Sequence, residues 1–150
     1  MQTKRTKIII DISMTLFVVL SFIRWDGTSG AIYHIIVGSA CTLFFSMHVF
    51  VHRKWIKATT QSCFAGKLKK AVRGKYVINM LLLAVWGISI ATGFVALVPF
   101  FGGVEGGFGW GRLHGITARV GLVLIVIHVV QHIPQIKSYL GFNKNRGVWP

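Results

Sequence analysis

Long apolar runs alternate along this chain with short polar or basic interruptions. Four runs stand out: about Ile8 to Ile23, about Ala31 to Val51, Tyr76 to Val98, and Leu113 to Ile133. About 20 apolar residues cross the hydrocarbon layer of a bilayer as a helix, so the pattern predicts four membrane spans. Pro99 follows the third run and Pro134 the fourth. Proline lacks the N–H of the helical ladder and disfavours helix in the residue before it, so each proline predicts a helix stop. The first run is short, carries Asp11 and follows Lys4, Arg5 and Lys7, which gives it the outline of a signal peptide. No small-residue cleavage site follows it; Arg24-Trp25-Asp26 does, and the run reads as a retained helix.

The runs form an internal repeat. Lys7-x3-Asp11 opening the first span resembles Lys75-x3-Asn79 opening the third, at an offset of 68 residues. The second and fourth spans match at an offset of 80, which aligns Gly38 with Ala118 and Cys41 with Gly121. The longer Gly-rich loop between spans three and four absorbs the difference. The expected fold is all-α: a four-helix transmembrane bundle built from a duplicated helical hairpin, 1–150 forming one domain. Copies with the same topology make spans two and four parallel.

Charge orients this arrangement. The chain holds 17 Lys+Arg against 3 acids, and its mean hydropathy is +0.64. Such a basic balance suits nucleic acid, but the uncharged apolar runs exclude that partner in favour of a lipid bilayer. Fourteen of the basic residues fall in the N-terminus, the loop from Arg53 to Lys75 and the tail after Pro134; the two opposite loops hold only Arg24 and Arg112. The positive-inside rule then places both termini and the middle loop in the cytoplasm, and the expected location is a bacterial cytoplasmic membrane. Trp25, Trp55 and Trp110 fall near span ends, where interface anchors belong. Cys41 and Cys63 are too few for a disulfide framework, and no Cys-x-x-Cys-His is present for covalent haem attachment.

All six histidines fall in the repeated segments, and each segment reads His, thirteen residues, His, three residues, His. Fourteen residues of helix rise about 21 Å and turn back to within about 40° of the starting face. His34 and His48 therefore share a face at two depths, as do His114 and His128. Two parallel helices with such faces supply two His–His pairs, the requirement of two haem b groups with bis-histidine ligation stacked across a bilayer. Gly38, Cys41, Ala118 and Gly121 return to the ligand face at four and seven residues from His34 and His114. Their smallness would let a flat macrocycle press on the backbone; close helix–helix packing is the alternative. His52 and His132 lie one turn beyond His48 and His128. One member of each i,i+4 pair would ligate and the other would bond a propionate or a quinone. His48 and His128 are the preferred ligands, because His52 abuts Arg53-Lys54 at the water interface.

The remaining candidates follow from charge and position. Arg119 lies about 140° from the ligand face, and a buried arginine needs a partner: a propionate, Asp26, a quinone or another subunit. Arg24 and Arg112 are placed to hold propionates on one side, and Arg53 and Lys54 on the other, with membrane-surface charge as the alternative. Asp11 and Asn79 read as helix caps or interhelical hydrogen-bonders, with proton uptake for a quinone as the second reading. The segment from Val98 to Arg112 suits an outer docking surface rather than a phosphate loop, and the basic middle loop suits anionic lipid.

The paired His-x13-His segments resemble those of the cytochrome b subunit of quinol:cytochrome c oxidoreductases. The small size, the His-x3-His-Arg-Lys-Trp end at His48 to Trp55, and Thr92-Gly93 resemble more closely small four-helix bacterial membrane cytochromes of the ferric-reductase-like group, a family linked to flavin-carrying electron-transfer proteins. The resemblance covers about residues 7 to 135. It departs at Arg24-Trp25, where the repeat predicts a counterpart of Thr92-Gly93. It implies haem b at His34, His48, His114 and His128 and electron transfer across the membrane. The expected function is a diheme cytochrome b working between a quinone pool and a redox partner protein. The absence of a Rossmann or flavin domain makes it an expected subunit rather than a reductase by itself. A transition-metal transporter and a haem-free membrane anchor are the alternatives.

Overall fold

In a computed structural model the chain is described over residues 4–23, 27–102 and 108–139, and those residues form helices and no strand. The helices are α1 (Lys4–Ser21), α2 (Gly27–Phe64), α3 (Lys70–Gly102) and α4 (Phe108–Tyr139). They pack as two compact units, one of α1 and α2 and one of α3 and α4, with the boundary between Lys67 and Leu68. Each unit is one helical hairpin.

Among the described residues, three helices are long and apolar enough to cross a membrane, over Ser29–Phe64, Val72–Gly102 and Gly109–Pro134. The expected first span is the exception: α1 has 18 residues and carries Lys4, Arg5, Lys7 and Asp11 among them. Neither proline stops its helix. Pro99 lies inside α3 and Pro134 inside α4, which runs five residues further to Tyr139. A proline costs one ladder bond and crowds the carbonyl four residues back, so it kinks a helix where neighbouring bonds hold it. The 38 residues of α2 rise about 57 Å, well beyond the ~30 Å hydrocarbon layer. Its end carries Arg53, Lys54 and Lys57. There it closes on Gly66, whose φ of 69° suits glycine. Lys67 N–H donates to Ser62 O at 2.9 Å and Gly66 N–H to Cys63 O at 3.0 Å, the paired bonds of a Schellman stop.

The hairpin interiors are thin. Ile10, Val18, Val37 and Cys41 are buried between α1 and α2, where Phe17 and Phe44 stack with centroids 5.1 Å apart. Ser89 and Thr92 are buried in the second hairpin. Leu16, Ile36, Leu43, Val98, Val123 and Val126 are exposed. An apolar surface of this extent belongs in lipid. The hydroxyls agree: Thr42 donates to Gly38 O at 2.9 Å, Ser46 to Thr42 O at 2.9 Å and Thr117 to Leu113 O at 3.0 Å. In hydrocarbon a hydroxyl without an acceptor is costly, and the i−4 carbonyl supplies one.

Candidate functional site

The first helix of each hairpin holds two of the three histidines of the second by their Nδ1 atoms. In the first hairpin, His34 Nδ1–H donates to the Ser21 carbonyl at 3.1 Å, and His48 Nδ1–H donates to Asp11 Oδ1 at 2.7 Å. In the second, His114 Nδ1–H donates to the Ser89 carbonyl at 2.8 Å, and His128 Nδ1–H donates to Asn79 Oδ1 at 2.8 Å. The acceptors are 68 residues apart and the histidines 80 apart, the two offsets of the sequence repeat. The duplication therefore extends to single hydrogen bonds. An oxygen acceptor on Nδ1 fixes the proton there and puts the lone pair of the neutral ring on Nε2. Metal-ligating histidines are oriented in this way, with the other ring nitrogen bonded to a carboxylate or a backbone carbonyl.

Different local structure yields the same contact in the two copies. Ser21 is the last residue of α1, and terminal carbonyls lack helical donors. Its neighbours accept other bonds: Val18 from the Ser21 hydroxyl at 2.7 Å, and Leu20 from Tyr33 Oη at 3.3 Å. His34 thus caps α1. Ser89, by contrast, lies within α3, where its carbonyl also accepts from Thr92 Oγ1 at 3.0 Å. Gly93 makes that approach possible: a Cβ there would lie 3.1 Å from both Cε1 and Nδ1 of His114. The counterpart of Thr92-Gly93 is Arg24-Trp25, and the expected role of Arg24 lies outside the described residues, as does that of Asp26.

The second histidine of each i,i+4 pair lies tilted against the first. His48 and His52 have centroids 4.6 Å apart at 42°, and His128 and His132 have centroids 4.6 Å apart at 40°. His52 Nε2 is also 4.0 Å from Asp11 Oδ1. Asp11, His48 and His52 thus gather one potential ligand atom each within 4.8 Å of one another, a group able to hold a metal ion. The matching group of the second hairpin has the amide of Asn79 in place of the carboxylate.

The other predicted residues divide. Gly38 has nothing within 4 Å of a would-be Cβ, so its face is open within the hairpin. Gly121 is buried against Trp86, whose Nε1 lies 3.1 Å from a would-be Cβ; its smallness admits an indole from α3. The Arg53 guanidinium lies 3.7 Å over the Phe50 ring and donates to Phe50 O at 3.3 Å, folded back on its own helix. Arg119 is exposed, with Nη2 folded back to within 3.8 Å of a would-be Gly115 Cβ. Arg112 is exposed, as are Trp55 and Trp110 near helix ends. Both cysteines are free, Cys41 buried and Cys63 exposed.

The repeat in the sequence aligns Asp11 with Asn79 without tying either to a histidine, and Ser21 and Ser89 carry no candidate role there. The signal was available: the offset of 68 that pairs Asp11 with Asn79 also pairs Ser21 with Ser89. Comparison of the chain with protein families, with curated proteins and with solved structures gives no match.

Proposed function

We propose that this protein is a membrane diheme cytochrome b, an electron-transfer subunit working between a quinone pool and a redox partner protein. One observation carries the reading. All four predicted axial histidines donate Nδ1–H to an oxygen at repeat-matched positions. That presents Nε2 lone pairs at two heights on each of α2 and α4, about 21 Å apart along the helix. The donor chemistry fits haem b, which takes neutral imidazole ligands. His34 and His114 would hold one group, and His48 and His128 the other. The group supplies a one-electron ferric/ferrous couple when bound.

The chain's own residues orient and shield. Ser21, Asp11, Ser89 and Asn79 set the tautomer and rotation of the rings, and the apolar helices keep the rings out of bulk water. The excess of basic residues near the termini and middle loop supports a cytoplasmic position for them, and the cytoplasmic membrane of a bacterium as the setting.

A transition-metal transporter is the second reading, favoured by the Asp11–His48–His52 group alone. Replacement of the carboxylate by Asn79 in the other hairpin weighs against a shared cation path. The test is the reduced-minus-oxidised visible spectrum of detergent-purified protein, with a pyridine haemochrome assay. A b-type α band with two haems per chain is expected, lost in part in His48→Ala and kept in His52→Ala. A colourless preparation from haem-supplemented cells overturns the cytochrome reading and leaves metal transport or a structural anchor.

A further inference from the structure

Three of the four Nδ1 acceptors are neutral: the carbonyls of Ser21 and Ser89 and the amide oxygen of Asn79. The fourth is the carboxylate of Asp11, which makes the shortest of the four bonds at 2.7 Å. The two hairpins are otherwise matched closely here, down to the tilted 4.6 Å ring contacts of His52 with His48 and of His132 with His128. The repeat is thus broken at one atom, Oδ1 of a carboxylate against Oδ1 of an amide.

We propose, building on the cytochrome reading, that Asp11 is a positioning residue that makes the two redox sites unequal by holding the His48 and His128 level at the lower reduction potential. A carboxylate draws the Nδ1 proton of its histidine more strongly than an amide does, which raises the basicity of the ring and its donation from Nε2. Stronger donation favours the more highly charged ferric state. The negative charge beside the ring acts in the same direction, and apolar surroundings screen it less than water would. Second-shell hydrogen bonding is among the protein's levers on a haem potential. His34 and His114 instead donate Nδ1–H to backbone carbonyls. An electron entering either level then settles on the His34 side.

The experiment is a redox titration of the visible α band of the purified, haem-loaded full-length chain. The wild type should titrate as two unequal one-electron components. Asp11→Asn, which copies the arrangement at Asn79, should raise the lower component and leave the upper one in place. The expected shift is a tenfold change in the ferric/ferrous ratio at fixed ambient potential, equivalent to about 59 mV for one electron. Asn79→Asp should lower the same component. A single unsplit wave in the wild type overturns the proposal, as does an Asp11→Asn chain with both haems and unmoved potentials, or one in which only the upper component moves. These results leave the cytochrome reading standing. Should Asp11→Asn lose pigment, Asn79→Asp decides, and an unshifted lower component there overturns the proposal. A wild type that binds no haem removes the cytochrome reading and this inference together.

Discussion

At the scale of the residue, small side chains in the two hairpins have different duties, and substitution separates them. Gly93 exists for His114. A methyl group there would press on the ring at 3.1 Å from two of its atoms, and the ring is already held by Ser89 O at 2.8 Å. Gly93→Ala is expected to displace the imidazole and cost about 1–3 kcal/mol by overpacking; on the proposed cytochrome reading it also lowers the haem content measured by pyridine haemochrome. Gly38 is the opposite case. Among the described residues, nothing beyond its own helical backbone and chain neighbours lies within 4 Å of a would-be Cβ, so Gly38→Leu should leave helix content unchanged by circular dichroism. If a macrocycle covers this face, the same variant loses haem; unchanged haem content assigns the glycine no role at the cofactor. Gly121 packs on Trp86, and Gly121→Ala should lower thermal stability through the indole, with overpacking again costing about 1–3 kcal/mol.

At the scale of the element, the helices outlast the apolar runs that announce them. α4 passes through Pro134 and α3 through Pro99. Each proline interrupts one ladder bond at a place where the chain remains helical, and interior prolines cost about 3 kcal/mol relative to alanine. Pro134→Ala is therefore expected to raise the unfolding temperature of the detergent-solubilised protein, read by far-ultraviolet circular dichroism. A lowered one would mean that the proline itself is needed for packing. The first helix depends on its neighbour. Tyr33 and His34 of α2 take the carbonyls of Leu20 and Ser21 at its end, so His34 has a structural duty as well as the proposed ligand duty.

At the scale of the whole molecule, charge and apolarity predict an orientation. Reporter fusions at the C-terminus and in the loop around Gly66 should read as cytoplasmic, and fusions near Asp26 and Glu105 as external. The reverse pattern would exchange the sides of the two proposed redox levels. Three helices meet the requirement for a span, and α1 meets it less well because four charges lie within its 18 residues. Fusions near Asp26 therefore also test whether α1 crosses.

Local spacing was enough for much of this protein. Helical class, the number of helices, the offsets of 68 and 80 and the heights of the histidines along α2 and α4 are set by periodicity within single runs, because rise and rotation per residue are constants of the helix. Only the packed hairpins decided what lies behind each ring. Ser21, Asp11, Ser89 and Asn79 meet histidines 13, 37, 25 and 49 residues away, and such contacts depend on how two helices are set against each other. The same holds for Gly121, whose place on the expected ligand face was legible while the indole that fills its space was not. A proline announces a lost donor but not whether the surrounding helix tolerates the loss, so the ends of α3 and α4 also waited on the fold. Sequence determined where the imidazoles stand along the helices; tertiary structure decided which oxygen holds each one, and that one of the four is charged.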